Sequence, residues 1–248
     1  MDPEPGVRPP SDPVDPSDPA RTVIFDPAIP FATATRRHRC AVLLPAVSGV
    51  DTSTMAAGLA LALVSVQPAD VLLLDIDPAP PGTGLAARFG LHQPPSGALV
   101  PVAPRLTYQP TGADGLVATW PERFGLLLAH CGPAPSREVL DRSLTIAGAV
   151  LLLAPDTDTG VESAAAALDW LGGGPGTELA RTAVVVLAGE DEGGGVVTDG
   201  PLPGRCRAVL RIPAAAHRVS PGVLDPDLIP DHARDALLDL AKEVSGGA

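Results

Sequence analysis

Lysine is almost absent from this chain. Of 17 basic residues in 248, sixteen are arginine, and the only lysine is Lys242. An internal glycine-rich phosphate loop therefore cannot carry the lysine that reaches the β and γ phosphates, and no internal lysine is available for a Schiff base. With 29 acidic residues the net charge is −12, so there is no lysine-rich surface to grip nucleic acid or anionic lipid. Abundant Arg, Pro and Gly beside the missing Lys also fit a GC-rich coding bias, which explains part of the shortage without any function. Cysteine is scarce too: Cys40, Cys131 and Cys206 are an odd, widely spaced set with no CxxC or Cys/His ligand spacing. That argues against a disulfide framework and a zinc site, and fits buried thiols in a reduced, cytoplasmic protein. Apolar runs stop at about ten residues, half of what a bilayer span needs, and the acidic, proline-rich start lacks the layout of a signal peptide.

What is present is a substantial apolar fraction, 45%, enough for one core of ordinary size. Residues 1–20 hold seven prolines and five carboxylates with almost nothing to bury, and are expected to be a disordered tail. Residues 21–39 are a transitional segment with a short apolar stretch at Thr22–Phe25 and a basic cluster, Arg36, Arg37, His38 and Arg39. The stretch reads as an edge strand or clip, or as a linear motif for a partner. The cluster reads as a solvated patch or a partner site.

Residues 40–245 form the expected domain. Continuous apolar runs at Cys40–Pro45, Val71–Asp75, Phe124–Cys131, Ala149–Pro155, Thr182–Ala188 and Ala208–Ile212 lack the in–out alternation of a half-exposed strand, and predict strands covered on both faces. Helix patterns fall between them at Ser53–Val66, Thr83–Phe89, Ser136–Ala147, Val161–Leu171 and Asp231–Val244. The alternation predicts an α/β fold, a doubly wound, mostly parallel sheet with helices on both faces. Leu106–Gln109 is a further strand candidate, and Gly189–Gly204 reads as a solvated loop.

In such a sheet, ligands sit at the carboxyl ends of the strands. Here those ends carry the loop Ala46–Thr54 (AVSGVDTST), the strand end Asp75-Ile76-Asp77-Pro78, and His130-Cys131-Gly132-Pro133. Together they resemble the ParA/MinD family of deviant-Walker P-loop ATPases, from about Cys40 to Val244. The family's loop is similar to GKGGVGKTT before a small-residue helix. Gly49, Val50, Ser53 and Thr54 fall on their counterparts, and Ala56–Leu63 on the helix. VLLLDIDP matches the family's VLLIDxDP, which puts Asp75 and Asp77 on its acidic positions. The departures are Val47 at the signature lysine, Asp51 at a glycine, Thr52 at the Walker lysine, and His130 at the magnesium-organising aspartate. The ending DTST and the stretch DIDPAPPGTGLAARFGL also resemble the TadZ/CpaE branch, which includes septum-site-determining proteins. Proline-rich tails before MinD-like domains near type VII secretion systems are a competing address.

The resemblance implies that Gly49, Ser53 and Thr54 are a vestigial phosphate loop, that Ser53 and Asp75 would hold Mg²⁺ if any is bound, and that Asp75 and Asp77 would be the catalytic carboxylates if the site is active. Each has a plainer reading: Asp75 and Asp77 as turn residues, Ser53 and Thr54 as N-caps of the helix, His130 as a satisfied core histidine with no triad partner at motif spacing. A charge-assisted hydrogen bond contributes about 1.5–3 kcal/mol, so losing two lysines weakens phosphate binding by some two orders of magnitude, and Asp51 adds repulsion. The expectation is a pseudo-ATPase with no tightly held cofactor, ATP and Mg²⁺ binding at best weakly. It would be a scaffold or localisation factor, a homodimer or a heterodimer with an intact ParA/MinD-like ATPase. The N-terminal tail would be a second docking element, and partners would recruit the protein to a pole, septum or membrane complex. The alternative is a slow, lysine-free ATPase; a third reading makes the DxD a ribose or metal holder. Net charge argues against nucleic acid, and the acidic polar face of Asp231–Val244 against direct membrane binding.

Overall fold

The computed structural model describes residues 39–76, 78–80, 82–112, 123–173, 177–189, 194–213 and 222–247. The expectations for the tail 1–20, for Thr22–Phe25, for Arg36–His38 and for Asp77 lie outside these residues.

One nine-stranded sheet carries the domain, in the order β3-β4-β2-β5-β1-β6-β7-β9-β8. The strands are β1 (Cys40–Pro45), β2 (Asp70–Asp75), β3 (Val100–Ala103), β4 (Leu106–Pro110), β5 (Phe124–His130), β6 (Ala149–Pro155), β7 (Val184–Gly189), β8 (Gly195–Val196) and β9 (Ala208–Pro213). The seven inner strands run parallel; β3 and β8 are antiparallel edges. The runs without alternation are thereby explained. Along β1, Cys40, Val42 and Leu44 face one apolar layer while Ala41 and Leu43 face the other, and all five are fully buried.

Helices α1 (Thr52–Val66), α2 (Gly84–Arg88) and α6 (Asp231–Gly247) cover one face. The other face is covered by α3 (Arg137–Ile146), α4 (Asp158–Gly172) and α5 (Thr177–Thr182). Twelve of the fifteen residues of α1 are buried, because it lies against the sheet on one side and α6 and α2 on others. Ala56, Ala57, Gly58 and Ala60 give it the narrow cross-section that this position needs. At its C-terminal end the Arg105 guanidinium donates to the carbonyls of Val64 and Gln67, placing a cation at the negative end of the helix dipole.

Several boundaries differ from the sequence reading. Thr182 closes α5 rather than opening β7, and α4 begins three residues early because the Thr157 hydroxyl caps it by accepting from Gly160 N at 3.1 Å. The stretch read as the loop Gly189–Gly204 contains the edge strand β8.

Candidate functional site

The site is built where β1, β2 and β5 end under the N-terminus of α1. Gly49, at φ +86°, turns the chain out of β1, a conformation that favours glycine, and nothing lies within 4 Å of where its Cβ would be. The parallel register sets Asp75 directly beside His130, and Leu73 beside Tyr108. Side chains two residues apart on a strand share a face, so Asp75, His130 and Tyr108 all point to the α1 side.

They form one chain of hydrogen bonds. Tyr108 Oη donates to Asp75 Oδ2 at 2.8 Å, and Asp75 Oδ1 lies 3.0 Å from His130 Nδ1. Across the ring, His130 Nε2 is 2.9 Å from Thr52 Oγ1 and 3.5 Å from Ser53 Oγ. A carboxylate only accepts, so Nδ1 carries a proton and donates to Asp75, while Nε2 faces the Thr52 and Ser53 hydroxyls. Thr52, Asp75, His130 and Tyr108 are each at most 2% exposed. Burial, then the Asp75 carboxylate beside it, pushes the Tyr108 phenol well above its ordinary value, so it stays a donor.

His130 thus has the partners that sequence spacing did not supply. The order hydroxyl, imidazole, carboxylate is that of a hydrolytic triad, but the Thr52 hydroxyl is buried and held against the ring.

The N-cap of α1 corrects the sequence reading. It is Asp51, not Ser53 or Thr54: Asp51 Oδ1 accepts from Thr54 N at 3.0 Å and Oδ2 from the Thr54 hydroxyl at 2.7 Å. Oδ2 is also paired with Arg88 Nη2 at 3.1 Å. Arg88 reaches on to Gly222 O at 3.5 Å, and its own carbonyl accepts from Leu224 N at 2.7 Å, so α2 ties the loop to the segment leading into α6. Thr52 N donates to Val50 O at 2.9 Å. Hence two of the N–H groups at the start of α1 are satisfied within the loop.

Next to Tyr108 a cavity of about 180 Å³ is bounded by Pro78, Pro80, Thr83, Leu91 and Pro110; among the described residues no charged side chain lines it. Among the described residues there is no group of three His, Cys, Asp or Glu able to hold a metal ion. Cys40 and Cys131 are buried and Cys206 is half-buried; burial raises the Cys40 and Cys206 thiols, leaving them poor nucleophiles. No described helix is long and apolar enough to cross a membrane.

No protein-family model matches the sequence, and no curated protein is similar to it. Solved structures do match. A ParA family ATPase from Chlorobium tepidum superposes with a TM-score of 0.58 at 16% identity, over 84% of this chain and 99% of that one. The fold is that of the ParA/MinD ATPases. The MinD cell division protein of Aquifex aeolicus matches with a TM-score of 0.56 at 16% identity, over 84% of this chain and 97% of that one. Cyanothece McdA, in an ATP complex, matches with 0.56 at 14% identity, over 86% and 98%. Another match is MinD in a complex with MinC. In this ParA/MinD frame the loop after β1, Asp75 at the end of β2 and His130 at the end of β5 share one site. Asp77 lies outside the described residues.

Two members of the site, Tyr108 and Arg88, were not legible in the sequence. Tyr108 sits in no motif, and Arg88 lies within DIDPAPPGTGLAARFGL with nothing there to mark it as a partner of the loop; each is delivered by the strand or helix packed beside the loop.

Proposed function

We propose that this chain is a non-hydrolysing member of the ParA/MinD group, a scaffold or localisation factor that works by protein contacts. The observation that carries this reading is the buried chain Tyr108–Asp75–His130–Thr52. Magnesium needs carboxylate or hydroxyl oxygens free to turn towards it, and a triphosphate needs loop N–H groups and a cation. Here both Asp75 oxygens are engaged, Ser53 Oγ faces an imidazole, and Thr54 N is bonded to Asp51. The residues present do not fit a magnesium–triphosphate. Partners are a second copy or an intact ParA/MinD-like ATPase, as in the MinC:MinD complex a neighbour engages another protein. The N-terminal tail, residues 1–20, supplies a further docking element, ahead of the transitional segment 21–39 and the domain at 40–245. Cell-division, pilus or secretion positioning is the setting, and the TadZ/CpaE branch the affiliation.

A melting-temperature titration with ATP and Mg²⁺ tests this. The expected shift at millimolar nucleotide is within error of zero, with the same oligomeric state throughout. Stabilisation by several degrees at micromolar ATP would overturn the loss of nucleotide binding, and phosphate release above background would favour a slow lysine-free ATPase.

A further inference from the structure

We infer that Asp51 is a built-in anion that occupies the phosphate seat, and that its carboxylate, clamped by Arg88, excludes polyphosphate more than any loss of loop shape does. This rests on the reading of the site as one that no longer takes nucleotide, and it names the group responsible.

A helix N-terminus after a tight glycine turn is a natural anion seat, since its first N–H groups and the helix dipole point at one place. In this chain that place is not empty. The Asp51 carboxylate lies in it, accepting from Thr54 N at 3.0 Å and from Thr54 Oγ1 at 2.7 Å. Arg88 Nη2 donates to Asp51 Oδ2 at 3.1 Å. The three kinds of donor that a bound phosphate would use, a backbone N–H, a hydroxyl and a guanidinium, are therefore all present and all spent on one side chain. The loop around them keeps its turn: Gly49 is at φ +86°, with open space over its Cα. The missing lysines only remove attraction, whereas the carboxylate both repels a phosphate and competes for the same donors.

Arg88 makes the clamp more than an N-cap. It is fixed from both ends, through Gly222 O and through Leu224 N to its carbonyl, so the guanidinium is held over Asp51 by α2 and the chain entering α6. Once released from Asp51 it would face an incoming phosphate instead. The ligand class is polyphosphate, free or as part of a nucleotide.

The test is isothermal titration of the full chain with tripolyphosphate and, separately, with ATP and Mg²⁺. Asn caps a helix as well as Asp does, so Asp51→Asn removes the charge and keeps the cap, and its melting temperature reports that it is folded. The expected result is a gain of about tenfold or more in affinity for both probes over the wild type. Adding Arg88→Ala should abolish most of the gain. A folded Asp51→Asn that binds no better than the wild type overturns the inference and leaves the non-hydrolysing reading standing. A wild type that already binds tightly, with Asp51→Asn tighter still, overturns that reading and leaves the role of Asp51 intact. A gain that survives Arg88→Ala overturns the clamp.

Discussion

Thr52 and His130 are 78 residues apart in the sequence and are joined by a 2.9 Å contact between Thr52 Oγ1 and His130 Nε2. It bridges the first turn of α1 and the end of β5. The resemblance read from the sequence puts a lysine and a magnesium-organising acid at these two positions; here the two side chains bond to each other.

His130→Ala leaves the Asp75 carboxylate in a sealed site with one of its two donors gone. Breaking a buried pair from one side costs about 3–5 kcal/mol. Urea unfolding should show a loss in that range, and a loss under ~1 kcal/mol would mean that solvent already reaches Asp75.

Tyr108→Phe deletes one buried donor and no volume to speak of, at a cost of about 1–3 kcal/mol. It should also change the alkaline limb of stability. A phenol raised above its unfolded value of about 10 gives stability that is whole below that pH and lost as pH climbs through the range between the unfolded and folded values. The wild type should thus weaken above pH ~10 by up to 1.4 kcal/mol per unit from this group. In Tyr108→Phe the slope should be shallower by about half a proton at pH 10, rising towards one by pH 11, read from unfolding midpoints between pH 9 and 11.

Gly160→Ala tests a close approach. A Cβ there would stand 2.0 Å from Pro155 O, a backbone atom of β6 that cannot step aside. The start of α4 must shift, costing about 1–3 kcal/mol even though alanine favours helix more than glycine does. An unchanged urea midpoint would show that the turn between β6 and α4 is looser than this contact implies.

Thiol reactivity follows from burial. In native protein Cys40 and Cys131 should resist a water-soluble disulfide reagent, and Cys206 should react slowly. Prompt reaction of all three without denaturant would contradict the packing.

Much of the fold was readable because the inner strands are covered twice: a run such as Ala149–Pro155 cannot alternate when Val150 and Leu152 meet one layer and Leu151 and Leu153 the other. The elements that escaped are short or at an edge. β3 and β8 have partners on one side only, and α5 is six residues long, so none leaves a strong periodic trace. At the site, the loop after β1, Asp75 and His130 stood out as strand-end positions. What they bond to did not, because it is set by which strand lies beside which: Tyr108 reaches Asp75 only through the pairing of β4 with β2, and Arg88 reaches Asp51 only because α2 lies against α1. The N-cap was misplaced for a local reason. Asp51, Ser53 and Thr54 are all capable caps, and backbone angles choose among them.

The lengthwise packing of α1 against α6 joins the earliest helix of the domain to its latest. Ala233, Leu237, Leu240 and Val244 complete the layer begun by Met55, Leu59 and Leu63. During synthesis, then, α1 must wait with an uncovered flank for roughly 170 residues, about ten seconds or more of elongation at ordinary rates. Final closure of the domain waits on α6, and an assembly partner that covered that flank in the interval would meet a surface the folded domain does not show.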